Sequence, residues 1–331
     1  MHQRRLLSPL LLLAAVAALT GLGSAPTLAQ GAGAWPSRQP IKLVAVFPPG
    51  GSVDQVARIL APALQQALGQ AVVVDNKGGA SGSIGTGAVA ASAPDGYTFA
   101  VVFDTHAVNP ALLPNLPFDT RRDLAAVALL GTGAMLLAAN AEAPFKTLAD
   151  VVAAAKTAQG AAYGSIGSGS LGHLAVTLLA RGSQLNLVHV PYRGGGPLIN
   201  DALAGHVPLA IGSVFLVKPH LESKRLRALA VTTSKRSAQL PDVPTLAESG
   251  FAGFDAPAWW AVLAPAKTPP EIVARMNEAL NAALAAPEVA GKLAAQGIDI
   301  HRGSPAAAQQ FIERQIETWA RVVRDNGIKA D

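Results

Sequence analysis

Phe47-Pro48-Pro49-Gly50-Gly51-Ser52-Val53-Asp54 carries the strongest chemical signature in this chain. Two prolines stiffen the stretch, two glycines let backbone approach a ligand closely, and Ser52 reads as a helix N-cap. Unpaired N–H groups and the positive end of a helix dipole at such a turn attract a negatively charged group. Gly167-Ser168-Gly169-Ser170-Leu171-Gly172 has the same build, and Pro191 to Pro197 is a further glycine-rich loop. Asp104-Thr105-His106-Ala107-Val108-Asn109-Pro110 reads as a polar turn with several side-chain donors. Together these imply capture of a small anion by facing loops. Asp54, in the first helical turn, either supports the helix end electrostatically or touches the ligand. A carboxylate at Asp104 would repel an anion, so it either meets an ammonium group or turns away into a capping bond.

Other chemistries fit less well. Gly167 to Gly172 satisfies G-x-G-x-x-G, but that fingerprint also needs an acidic residue about 20 positions on for the ribose hydroxyls. Between Asp150 and Asp201 there is no Asp or Glu, although Arg193 is placed to hold a 2′-phosphate instead. The dinucleotide reading fails on this and on the weak specificity of the motif. No serine stands in G-x-S-x-G and no H-E-x-x-H occurs. The seven histidines have no metal-ligand spacing, and the absence of cysteine excludes disulfides and thiolate metal sites. No metal, cofactor or catalytic set is expected. His106 and His173 sit in or just after the loops, each either a ligand contact or a histidine bonded to nearby backbone.

These loops need elements that aim them, and the chain supplies alternating apolar strands and amphipathic helices, the α/β pattern. Ile41 to Val46 reads as a buried strand, and Val53, Val56, Leu60, Leu64 and Leu68 mark a helix ending before Gly69. Further strands are expected at 71–74, 97–103, 134–140, 162–166, 187–190 and 227–232, with helices near 86–91, 148–157, 198–204 and up to 180. The last third reads as helices at 271–285, 287–295 and 305–326 after an apolar stretch at 259–263. Asn76 to Gly85 is one more glycine-rich loop.

His2, Arg4 and Arg5, the apolar run Leu10 to Leu19, and Thr27-Leu28-Ala29 before Gln30 form a secretory signal peptide, with cleavage expected after Ala29. That leaves 302 of 331 residues, enough for two domains or one large one. The formal charge of +5 falls to +3 once Arg4 and Arg5 are removed, and no Lys/Arg run with interleaved aromatics occurs. Nucleic acid is therefore excluded as a partner.

The motifs WPSRQPIKLVAVFPPGGSVD (35–54), NKGGASGSIG (76–85), PDGYTF (94–99), THAVNP (105–110), VHVPYRGGGP (188–197), LRALAVTTSKRSAQLPDVPTLAESG (226–250) and VLAPAKTP (262–269) resemble the substrate-binding proteins of tripartite tricarboxylate transporters, the Bug or TctC-like family. The resemblance runs over essentially the whole mature length. It implies a monomeric, two-lobed periplasmic binding protein of type II-like fold, each lobe a sheet flanked by helices, closing over a carboxylated metabolite. Lobe 1 would take 31–138 and 226–331, lobe 2 would take 139–225, and two chain crossings would join them. Carried over onto this sequence, the ligand-binding set is Phe47, Gly50, Gly51, Ser52, Asp54, Asp104, Thr105, His106 and Asn109 from lobe 1. From lobe 2 it is Ser165, Ser168, Gly169, Ser170, Arg193, Gly194 and Gly195. Amides at Gly50, Gly51 and Ser52 would grip one carboxylate, and Ser168, Gly169 and Ser170 the other end of the ligand.

Two departures stand out. Ile211-Gly212-Ser213 replaces a Phe-Asp-Asn pattern, and Asp104 replaces a small residue, so a changed ligand preference is expected. The resemblance implies delivery to the membrane subunits of such a transporter. The alternatives are a sensor presenting the bound carboxylate to a membrane signalling protein, or an exported enzyme acting on an anionic ester or phosphate.

Overall fold

Residues 35–113 and 115–329 of the computed structural model are described below. The expected signal peptide lies outside them. The chain builds two sheets. The first has the order β11-β4-β10-β3-β1-β2, from β1 (Ile41–Ala45), β2 (Val72–Asn76), β3 (Thr98–Phe103), β4 (Leu124–Gly133), β10 (Ala258–Pro265) and β11 (Ile298–Ile300). β1 runs parallel to β2 and β3, whereas β10 and β11 are antiparallel to their neighbours. The second has the order β7-β6-β8-β5-β9, from β5 (Met135–Asn140), β6 (Ala161–Ser165), β7 (Leu187–Pro191), β8 (Leu209–Ser213) and β9 (Leu226–Val231). β6 is parallel to β7 and β8, and β5 is antiparallel to β8 and β9.

Helices connect the parallel strands and leave from their C-terminal ends: α1 (Ser52–Leu68) after β1, α3 (Thr105–Leu112) after β3, α5 (Leu171–Gly182) after β6, α6 (Gly195–Ala204) after β7 and α7 (Val214–Glu222) after β8. In open α/β sheets that edge is where ligands bind. α1 forms because Val53, Val56, Leu60, Leu64 and Leu68 share its buried face, and it stops where Gly69 turns left-handed at φ 65°. α2 (Ser83–Ala90) and α4 (Leu148–Ala155) lie between strands, the latter started by a capping box of Thr147 and Asp150. α8 (Pro270–Ala285), α9 (Pro287–Ala295) and α10 (Pro305–Asp325) close the chain. α10 buries Ala308, Ile312, Ile316, Trp319 and Val323 and is capped by Ser304. Trp259 is fully buried, edge-on to Phe311 at 5.7 Å between ring centroids, so it is core.

Three differences from the sequence reading matter. The stretch expected as a polar turn, 104–110, is mostly the helix α3, with Pro110 inside it. Its Ala107, Val108 and Leu112 are buried, and that burial outweighs the turn chemistry of Asn109-Pro110. β4, an interior strand next to the edge strand β11, had no expected counterpart, nor had β11. The chain passes between sheets twice, at Ala134 and through 232–257. There Thr232 N donates to Met135 O (3.0 Å), Thr232 Oγ1 to Ala256 O (2.7 Å) and Ala256 N to Thr232 O (2.9 Å). The second sheet thus spans 135–231, which starts four residues before and ends six after the expected 139–225.

Candidate functional site

Helix N-termini converge where the two sheets' loops meet. α1 begins with Gly51 as N-cap in extended conformation, so no side chain satisfies its first amides. Ser52 is not the cap: it is the first helical residue, and its Oγ accepts from Trp260 Nε1 at 3.3 Å. Asp54, 4% exposed, is committed to the loop itself. Its Oδ2 accepts from Gly50 N (3.0 Å), and its Oδ1 from Arg58 Nε (2.8 Å) and Asn76 Nδ2 (3.0 Å), while Asn76 Nδ2 also reaches Phe47 O (3.0 Å). Asp54 therefore braces the turn, and the Gly50 amide, expected to grip an anion, is already engaged.

α6 faces this end from the other sheet. Its N-cap, Gly194, has φ 136° and likewise gives no side-chain bond. A Cβ at Gly194 would lie 2.8 Å from Pro48 Cδ, one at Gly196 would lie 2.8 Å from Pro49 O, and one at Gly195 would lie 3.4 Å from Gly51 Cα. Only glycine lets the two loops come this close. Phe47, Gly51, Ser52, Phe103, Ile166 and Ser213 help line the space where they meet, which holds about 10 Å³, roughly one water. Ser213 Oγ caps α7 by accepting from Leu216 N at 3.3 Å. Arg193 is exposed at the rim of this loop.

The N-terminus of α5 is arranged differently. Ser170 Oγ accepts from His173 N (3.2 Å) and donates to Ser165 Oγ (3.2 Å), and Gly169 N donates to His173 Nδ1 (3.0 Å). Ser165 Oγ lies 2.7 Å from His189 Nε2, and His189 stacks between His173 (4.1 Å) and Tyr163 (5.2 Å). Two of the three donors expected to meet a ligand, Gly169 and Ser170, thus serve the loop's own scaffold. The third, Ser168, offers its carbonyl to Ser81 Oγ at 2.6 Å, a bond joining loops of the two sheets.

Ser81 is a site residue that sequence reading missed. It has φ 53° and Ala80 has φ 44°, two successive non-glycine residues in the left-handed region. Such strain costs energy and clusters at functional sites. The glycines around it were legible, but nothing in its residue type marked the conformation. Trp260 was also missed: its ring lies 5.0 Å from Phe103 and 6.2 Å from Phe215, beneath Ser52.

From α3, Asn109 Nδ2 donates to Ser81 O (3.1 Å), while Asn109 Oδ1 is buried and unpartnered. Thr105 and His106 are buried, and desolvation pushes the His106 imidazole down to about 4, so it is neutral at physiological pH. Asp104 is wholly buried and does not cap α3. Burial drives its carboxyl well above the ordinary carboxylate range, opposed by the nearby N–H groups of Leu171, at the start of α5, and Thr105. Neither oxygen makes a hydrogen bond of proper geometry. The capping alternative is therefore not realised. Among the described residues no cluster of His, Asp or Glu could hold a metal ion, and no helix is long and apolar enough to cross a membrane.

Two sheets joined by two crossings, with glycine-rich helix N-termini facing one another across the junction, define the two-lobed fold of periplasmic solute-binding proteins. The chain belongs to the tripartite tricarboxylate transporter receptor (TctC) family, whose model matches residues 56–328. It is 39% identical to protein BugT of Bordetella pertussis, over 99% of each chain. Among solved structures, R. palustris Rpa4515 with adipate is 35% identical with a TM-score of 0.85, covering 89% of this chain and 99% of that one. MatC of Rhodopseudomonas palustris with bound malate is 30% identical with a TM-score of 0.82, covering 87% and 100%.

Proposed function

We propose that this chain is an exported, non-enzymatic binding protein that captures a small carboxylate between its lobes and delivers it to the membrane subunits of a tripartite transporter. One observation carries the reading: the N-termini of α1 and α6, both capped by glycine alone, point at each other from opposite lobes. Two positive helix ends brought together without a side-chain acceptor call for an anion between them. The backbone amides of Gly51, Ser52 and Gly195 are the donors, with Phe47 and Phe103 supplying apolar walls. Arg193 at the rim steers the anion inward. Relatives with adipate and malate bound support a carboxylate as that anion.

Capture by closure follows from the geometry. Only with the lobes together do both helix ends reach one ligand, so binding shifts the population toward the closed form. The lobes divide at Ala134 and across 232–257, and the mature chain begins after Ala29 in the periplasm. Turnover is not supported: Ser165, buried at the end of β6, meets a half-buried His189 of β7, and its hydroxyl is tied to Gly167 and Ser170. The test is a thermal-shift screen of refolded mature protein against C3 to C6 carboxylates, followed by calorimetry. A ligand at about 100 times its Kd stabilises by about 2.7 kcal/mol. If no carboxylate raises the midpoint, the reading is wrong.

A further inference from the structure

We infer that Asp104 and Asn109 form a second recognition point, at the N-terminus of α5, that takes the amino group of the ligand and makes the preferred solute an amino-bearing monocarboxylate. This deepens the carboxylate reading above and rests on it.

Three buried oxygens at the start and in the middle of α3 are unsatisfied: both carboxyl oxygens of Asp104 and Oδ1 of Asn109. The orientation of Asn109 is fixed, because its Nδ2 donates to the carbonyl of Ser81 and so leaves Oδ1 as the unsatisfied acceptor. Ser81 in turn donates to Ser168 O, so α3 is tied to the Gly167–Leu171 loop. Leu112 of α3 also touches it: a Cβ on Gly169 would lie 3.0 Å from Leu112 Cδ1. The Leu171 amide, at the start of α5, lies near enough to the Asp104 carboxyl to oppose the effect of burial on it, without a hydrogen bond of proper geometry.

Buried acceptors without donors are costly to a fold and persist where something else needs them. Asn109 Oδ1 can only accept, and the un-ionised carboxyl of Asp104 gives up its proton beside a cation, so the partner that satisfies all three oxygens brings donors and a positive charge. A second ligand carboxylate brings none, and it would lie against the carboxyl of Asp104. A hydroxyl brings one donor and no charge. An ammonium brings three donors and the positive charge that a buried carboxylate requires. The neighbouring imidazole of His106 is neutral and supplies no cation. The site is therefore polarised: amides of α1 and α6 at one end for a carboxylate, oxygens of Asp104 and Asn109 at the other for an amine.

The experiment is calorimetry on the mature chain with matched series of three to six carbons, comparing at each length the ω-amino acid, the ω-hydroxy acid and the dicarboxylate. At the best length the expected order is amino, then hydroxy, then dicarboxylate, with at least about tenfold between first and last. Asp104→Ser should reverse the two ends of that order, and the isosteric Asp104→Asn should level them. Should the wild type bind the dicarboxylate as tightly as the amino acid, with the ratio unmoved in both variants, this inference falls while the carboxylate reading stands. Heat from no member of any series would overturn both.

Discussion

The N-termini of α1 and α5 occupy equivalent places, each after a parallel strand and a Gly/Ser loop, yet they are finished in opposite ways. At α1 the chain leaves the helix end bare: the cap is Gly51, and the nearest carboxylate, Asp54, bonds backward to Gly50 and sideways to Arg58 and Asn76. At α5 the chain fills the end itself, with the Ser170 hydroxyl and the His173 ring. A bare positive end is a place for someone else's charge; a filled one is not. Similar sequence texture thus conceals two different assignments, and the difference locates where a ligand's negative charge belongs.

Filling the bare end should have the largest effect. Gly51→Asp suits the backbone, since φ is −79° and a Cβ there meets nothing closer than 3.6 Å, and its carboxylate enters the space between the helix ends. It should weaken carboxylate binding about 100-fold, or roughly 2.7 kcal/mol, while Tm holds or rises slightly because aspartate caps helices well. Calorimetry with unchanged affinity would erase the contrast between the two ends. Removing the brace comes next. Asp54→Ala strands the Gly50 amide and Asn76, which should cost about 1–3 kcal/mol of stability in urea titration, with a smaller loss of affinity as the loop slackens.

A third effect is visible in pH. Asp104 keeps its proton in the folded chain where an unfolded chain, with a carboxyl near 3.8, has lost it. The folded state then holds more protons, so this group's stabilising contribution is lost as pH rises above that value. His106 acts in the other direction: its ring stays neutral in the fold down to about 4 but takes a proton near 6.5 when unfolded, so stability falls as pH drops across that window. Asp104→Asn should remove the first slope and keep the second, gaining about 1 kcal/mol or more at neutral pH. Tm profiles of both proteins from pH 4 to 8 that run parallel would refute this. The smallest effect should come from Ser170→Ala, which loses a cap worth about 1 kcal/mol and leaves carboxylate affinity nearly unchanged. A large loss of affinity there would mean that α5 holds the anion after all.

Much of the architecture was legible because it is local. The strand from Ile41, the stripe along α1 and the stop at Gly69 follow from spacing and one glycine. β4 was not, because Leu124–Gly133 is alanine-rich and apolar throughout, without the alternation that separates a strand from a buried helix. α3 was hidden by Asn109-Pro110, whose turn preference is overcome only by burial against the rest of the fold. In the candidate site, the glycine loops showed themselves, but the partner of each group did not. Whether Asp54 faces a ligand or its own loop depends on Asn76, 22 residues away, and what Asp104 faces depends on a helix of the other lobe.

The roughly water-sized space between the lobes has a mechanical consequence. Even a three-carbon acid is too large for it, so any captured solute must hold Gly51 and Gly195 apart by its own thickness. The ligand is then a spacer, and the angle between the lobes becomes a caliper reading of its size. Small-angle scattering should show the radius of gyration of the complex rising when the carboxylate end is made bulkier by branching at its α-carbon, and holding nearly steady as methylenes are added beyond it.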